Sequence, residues 1–147
     1  VSDPGQDPAA FQLLNEIGII AQLAGTRAER RLAPELTMAQ FVVLNHFHRL
    51  GGERSLVRLA GAMQVTKGAM TNTVGRLAAK GWVEVRADPQ DGRGKLVSIT
   101  PSGTAARNDA IVRLMPGLEG LGAVVEGDAA ALLDGLRRIR AWLDARR

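Results

Sequence analysis

A mainly helical fold carrying one small β-hairpin is what this sequence predicts, and three observations predict it. Apolar residues recur at helical spacing over most of the 147 residues, the signature of amphipathic helices. Between Ser55 and Thr100, two short helical patterns are followed by Gly81 and then by two alternating segments, WVEVRA and KLVSIT, on either side of the turn-rich DPQDGRG. Hydrophobic residues make up 46% of the chain, but aromatics only 3%, and tyrosine is absent. A core of Leu, Val, Ile and Ala suits helices packed closely on one another. Helix, helix, glycine and hairpin, in that order, build a winged helix-turn-helix.

Residues 1 to 7 read as a flexible lead-in. From Pro8 to about Leu32 a long helix is predicted, with Phe11, Leu14, Ile17, Gly18, Ala21 and Ala24 on one stripe and Leu13, Ile20 and Leu23 beside it. So wide an apolar surface calls for a second body to cover it. Arg27, Arg30 and Arg31 lie near the negative end of the helix, which suits the macrodipole. Pro34 breaks the pattern, and Thr37 with Gln40 forms a capping box for a helix reaching to about Leu50. Phe41, Leu44, His48 and Val42 are expected inward. The Gly51-Gly52 pair ends that helix.

Ser55 and Thr66 are placed to cap the two helices that follow. The first carries Leu56, Leu59, Ala60 and Met63 at helical spacing, the second Met70, Thr73, Val74 and Leu77. Opposite that second stripe lie Lys67, Gly68, Thr71, Asn72 and Arg76. Gly81 terminates the helix, and the strands should put Val83, Val85, Val97 and Ile99 inward and Glu84 and Arg86 outward. Asp91-Gly92 is the hairpin signal, leaving Arg93 at an exposed tip. Thr100-Pro101 opens a further helix, cap then proline. Its spacing runs on through Ile111, Leu114, Leu118, Leu121 and Val125 despite Pro116, so one long kinked helix is expected. Gly127 and Asp128 open a last helix with Ala131, Leu132, Leu136, Ile139 and Leu143 on one stripe, Leu133 and Trp142 flanking it.

The net charge is +4 and the isoelectric point near 10.6. Between Gly51 and Thr100, Arg54, Arg58, Lys67, Arg76, Lys80, Arg86, Arg93 and Lys95 face only Glu53, Glu84, Asp88 and Asp91. The whole excess therefore sits in the segment with the hairpin, as a polyanion partner requires. Without cysteine there is no disulfide and no thiolate metal site. His46 and His48 are two residues apart, on different sides of a helix, and do not make a metal pair. His48 reads as a core or interface residue and His46 as solvent-facing. No nucleophile, base and acid set, phosphate loop or cofactor motif is present, so neither an enzyme nor a cofactor is expected. No apolar run long enough for a membrane span and no signal-peptide pattern occurs, so a cytoplasmic protein is expected.

A polar face opposite an apolar stripe is ordinarily just solvated. Preceded by a short capped helix and followed by a hairpin with a basic tip, it reads instead as a surface for double-stranded DNA. The expected contact set is Ser55, Lys67, Gly68, Thr71, Asn72 and Arg76, with Arg86, Asp91, Arg93 and Lys95 from the hairpin. Thr71, Asn72 and Arg76 are suited to base edges and Lys67 to phosphate. Gly92 and Gly94 leave Arg93 as the one long side chain at the tip, suited to a narrow, negative minor groove. Two other classes stay open: a non-specific architectural DNA-binding protein, and a winged-helix module that binds a protein.

Several motifs resemble the MarR family of transcription regulators. LTMAQF at 36 to 41, RLA at 58 to 60, DPQDGR at 88 to 93 and ITPSG at 99 to 103 are similar to that family's pattern. Gly92 stands where many members carry a second arginine. The resemblance implies a homodimer, acting as a repressor, on a pseudo-palindromic operator, with one recognition helix and one wing per subunit. It implies a discontinuous helical dimerisation domain from 8–33 and 101–147 around a DNA-binding domain at 34–100. It makes Arg93 the wing arginine, with Asp91 helping to orient it, and the lack of cysteine rules out the family's redox-sensing branch. It also implies a small aromatic or phenolic effector between the two domains, near Ile17, Ile20, Phe41, His46 and Ile111, with a constitutive repressor that takes no ligand as the alternative.

Overall fold

The computed structural model describes residues 7–147, so all of the expected lead-in except Asp7 lies outside the described residues. Residues up to Leu114 make one compact unit and Met115–Arg147 a second. The first unit holds α1 (Ala9–Leu32), α2 (Met38–Leu50), β1 (Arg54–Ser55), α3 (Leu56–Met63), α4 (Lys67–Ala79), β2 (Val83–Asp88), β3 (Asp91–Ile99) and α5 (Pro101–Leu114). The second holds a 3-10 turn (Met115–Leu118), α6 (Leu121–Val124) and α7 (Ala129–Asp144).

The local signals for the starts of α2, α3 and α4 hold, whereas Asp128, at the start of α7, makes no side-chain cap bond. Thr37 and Gln40 close the expected capping box, each side chain bonded to the other's backbone amide at 3.2 Å. Ser55 Oγ accepts from the Arg58 amide at 3.2 Å, and Thr66 Oγ1 from the Ala69 amide at 3.1 Å. Such caps satisfy amides that have no partner within the helix.

The core of the first unit is largely aliphatic, with Phe47 and Met70 among its Leu, Val and Ala side chains. Phe47, Leu32, Leu44, Leu59, Leu77, Val43 and Val97 are its largest fully buried side chains. On α2 the covered residues are Gln40, Val43, Leu44 and Phe47, with Phe41 half-buried. Val42 and His48, expected inward, are exposed. The stripe lies one residue earlier than the spacing suggested, because 40, 43, 44 and 47 fit a 3.6-residue period as well as 41, 44 and 48 do.

The sheet is antiparallel with order β1-β3-β2. The two-residue β1 was not legible in the sequence, since alternation needs more residues than two. Val83 and Val97 are buried, but Val85, expected beside them, is 40% exposed. Val85 lies on an edge strand opposite Val97, which holds the central, doubly flanked position.

The start of α5 is pinned to the end of α4. The Thr100 hydroxyl donates to the Gly81 carbonyl at 2.7 Å and accepts from the Gly103 amide at 3.0 Å. The Thr100 amide donates to the Trp82 carbonyl at 3.1 Å. That carbonyl lies so close to α5 that a Cβ on Gly103 would stand 1.9 Å from its oxygen. Farther along, Arg107 donates through Nε and a terminal nitrogen to Asn45 Oδ1 at 3.0 and 2.8 Å, joining α5 to α2.

The single long helix expected through Pro116 does not form. α5 stops at Leu114, and only short turns follow before α7. Pro116 has no amide hydrogen to donate, and its ring crowds the carbonyl four residues back. Gly120 and Gly127 take φ values of +83° and +75°, outside the helical range. Two long helices keep unfilled apolar faces. α1 buries only Leu32, while Phe11, Leu13, Leu14, Ile19, Ile20 and Leu23 are between 44% and 63% exposed. α7 buries nothing, and Leu132, Leu133, Leu136, Trp142 and Leu143 are between 45% and 54% exposed.

Candidate nucleic-acid interface

α3 and α4 are joined by Gln64, Val65 and Thr66, with Gln64 in the left-handed conformation at φ 55°. This lets the Gln64 amide reach back to the end of α3 while Thr66 starts α4. Met70, Val74 and Leu77 bury one face of α4. Lys67, Gly68, Ala69, Thr71, Asn72, Gly75 and Arg76 are exposed. The two-faced character read from the sequence is therefore present. The Thr71 hydroxyl donates to the Lys67 carbonyl at 2.8 Å. The side chains of Lys67, Asn72 and Arg76 have no hydrogen bond or ion pair to the rest of the chain among the described residues. Ser55 is half-buried at the start of α3, where its oxygen serves the cap.

The hairpin turns at Pro89-Gln90, not at Asp91-Gly92 as the sequence suggested. Asp88 and Asp91 close it as a pair, and the Gln90 amide donates to Asp88 Oδ1 at 2.9 Å. Proline fixes its own φ for the first turn position, and the aspartate side chain mimics a backbone acceptor. The register then jumps from Asp88 opposite Asp91 to Ala87 opposite Lys95. Gly92, Arg93 and Gly94 are the inserted residues, a bulge at the wing tip. Asp91 holds Arg93 through its backbone, the Arg93 amide donating to Oδ1 at 3.1 Å. A Cβ on Gly94 would come within 3.1 to 3.3 Å of Asp91 and Asp88 atoms. The carboxylate thus shapes the bulge, and the arginine side chain is exposed beyond it. Lys95 is exposed beside it.

Arg86 has a partner that the sequence did not reveal. Its Nε and a terminal nitrogen meet Glu53 Oε1 and Oε2 at 2.7 and 2.6 Å. Arg86 and Ser55 are both opposite Leu96, so the pair reaches across the central strand from one edge of the sheet toward the other. Its hydrogen bonds hold the Glu53 carboxyl below its ordinary range and raise the Arg86 guanidinium. Separated by 33 residues, the two gave no sequence signal. On α4 and its flank, Lys80 Nζ donates to the Glu35 carbonyl and stands 4.6 Å from the Trp82 ring centre.

The effector residues named above lie on α1, α2 and α5, three helices that pack on one another. Ile17, Phe41, His46 and Ile111 are half-buried and Ile20 is exposed. Of the two histidines, His46 departs from the solvent-facing setting expected of it. His48 faces solvent in the single chain, while His46 is the half-buried one, its ring 5.9 Å from that of Phe47 and edge-on to it. Burial, then Arg49 and Arg54, lower its pKa below 6.5. Among the described residues no cluster of three or more His, Cys, Asp or Glu is placed to hold a metal. No helix among them is long and apolar enough to cross a membrane.

Two short helices, of which the second presents a polar face, followed by a hairpin on a three-stranded sheet, define a winged helix-turn-helix protein. The family model described as the MarR family matches residues 35–94. The multiple antibiotic resistance protein MarR of Escherichia coli is 37% identical over 101 residues, 63% of this chain and 69% of that protein. The protein of that name from Salmonella typhimurium is 41% identical over 71 residues, 48% of this chain; the match spans about half of it, 49%. The transcriptional regulator BldR of Sulfolobus solfataricus has a similar solved structure, with a TM-score of 0.75 and 31% identity over 90% of this chain and 94% of that one. A mutant E. coli MarR solved with operator DNA gives a TM-score of 0.67 and 30% identity, over 93% and 97%. The chain belongs to the MarR family.

Proposed function

We propose that this protein is a homodimeric, sequence-specific transcription regulator, acting as a repressor on a pseudo-palindromic operator in double-stranded DNA. The observation that carries this reading is the exposed face of α4, where the side chains of Lys67, Asn72 and Arg76 are engaged by nothing among the described residues. Unpaired cationic and amide groups on a rigid helix beside a wing are what phosphates and base edges recognise. Arg93, raised on a bulge between glycines, supplies a second, minor-groove contact. Ser55, Lys67 and Lys95 serve phosphates in this reading, and Gly68 admits the close approach. The solved complex of an E. coli relative with operator DNA supports the assignment.

The dimer is proposed on the apolar faces of α1 and α7, each of which a second copy would cover. Segments 8–33 and 101–147 then serve dimerisation and 34–100 serves DNA. Two recognition helices related by a two-fold axis enter successive major grooves, so half-sites lie about 10 base pairs apart. A small aromatic or phenolic effector lodged among Ile17, Ile20, Phe41, His46 and Ile111 would alter the spacing of the two lobes and release the operator. The site of action is the cytoplasm.

Selection from a pool of genomic duplexes, with excess competitor and moderate salt, tests the central reading. An enriched inverted repeat with that spacing is the expected outcome. Retention without any motif would leave backbone binding alone, and no retention would refute a DNA partner.

A further inference from the structure

We infer that Asn72 reads an adenine in each half-site, and that Gly68 and Gly75 give the clearance that brings it to the base edge. The inference rests on the DNA-binding reading and goes beyond it by naming a base and the residue that selects it.

Four side chains on the exposed face of α4 carry polar atoms: Lys67, Thr71, Asn72 and Arg76. Lysine and arginine only donate, so they serve phosphate, guanine or any other acceptor. Thr71 has given its hydroxyl hydrogen to the Lys67 carbonyl, which leaves an acceptor oxygen and a methyl group. Of these four, Asn72 alone holds a donor and an acceptor side by side in one plane, and nothing among the described residues engages either. In the major groove guanine offers two acceptors, cytosine one donor and thymine one acceptor. Adenine offers the acceptor N7 beside the donor N6, the pair that a carboxamide matches with two bonds.

Asparagine is short, so the helix backbone itself must come close to the bases. Gly68 lies one turn before Asn72 and Gly75 one turn after it, on the same face. Beyond the adjoining backbone of α4 itself, a Cβ at either glycine would meet no atom of the described residues within 4 Å, and neither has a left-handed φ. Glycine is the worse helix former than alanine at such exposed positions, so the fold gains nothing from it there. A close neighbour from outside the chain accounts for both glycines, and it lies on the side from which Asn72 projects.

The test begins with a duplex motif enriched by the wild-type full-length protein from a random pool. All four base pairs are then placed in turn at each half-site position and titrated against the wild type, Asn72→Ala, Asn72→Gln and Gly75→Ala. Asn72→Ala is expected to keep its thermal midpoint, bind the motif roughly 5- to 150-fold more weakly, and lose discrimination at one A·T pair per half-site. Its salt dependence should not change, because no phosphate contact is removed. Asn72→Gln, with the same amide, should restore part of the adenine preference. Gly75→Ala is expected to melt at a higher temperature yet bind every duplex more weakly. Full discrimination retained by Asn72→Ala would overturn the adenine reading while the DNA-binding reading stood. Unchanged binding by Gly75→Ala would overturn the clearance. Failure of the wild type to enrich any motif would refute sequence reading altogether, before any variant was compared.

Discussion

Among the described glycines, Gly103 leaves the least room for a side chain. Its missing side chain lets α5 begin against the Trp82 carbonyl, and a Cβ there would overlap that oxygen at 1.9 Å. Backbone on both sides must shift to admit it, and Thr100 bonds both segments to each other. Gly103→Ala should therefore cost about 3 kcal/mol or more, the upper end of overpacking, read as a lower denaturant midpoint with helical content retained in native buffer. The second sensitive residue is His46. Burial first, then Arg49 and Arg54, hold its pKa below 6.5. The folded chain takes up the proton less readily than the unfolded chain, so stability is intact above that value and declines as pH falls through it. Urea midpoints measured from about pH 8 down to about pH 5 should show this decline, and His46→Gln should flatten it. An equal decline in that variant would assign the effect to another group.

At the scale of elements, what could be read from the sequence was what neighbouring residues decide. Thr37, Ser55 and Thr66 cap where they were expected to, because a cap needs only the next three residues. The polar face of α4 was legible for the same reason. Contacts between distant segments were not: Arg86 with Glu53 and Arg107 with Asn45 are 33 and 62 residues apart. On α2 two stripes share Leu44, and only packing chooses between them. At Pro116 the apolar spacing continues and favours one helix, yet the missing amide decides the outcome. The Arg86-Glu53 pair makes its own prediction. Being exposed, it adds little to global stability, but it ties wing strand β2 to the loop before β1. Glu53→Gln should leave the thermal midpoint nearly unchanged while wing amides exchange faster and those of α2 and α4 do not. The pair also has a pH sign: the Glu53 carboxyl is held below 4.5, so its contribution is present above that value and fades as pH falls through the lowered one.

For the whole molecule, the unfilled apolar faces of α1 and α7 set the largest expectation. A 24-residue helix that buries one side chain gains little from the chain it belongs to, since most helical stability in proteins comes from packing an apolar face. If a second copy covers these faces, folding and association are linked, and the thermal midpoint must rise with protein concentration. Leu14, on α1, and Leu133, on α7, are both about half exposed and belong to neither α4 nor the wing. Leu14→Glu and Leu133→Glu should each shift sedimentation from dimer toward monomer, because a carboxylate buried without a partner in such an interface is strongly unfavourable. Operator binding should weaken with them, since two half-sites joined through one dimer gain from the high local concentration of the second. Binding to a single half-site should be nearly unaffected. A wild type that sediments as a monomer at every concentration, with a fixed thermal midpoint, would remove the dimer and with it the paired half-sites. The α4 face and the wing would then act as a single reading head on one half-site.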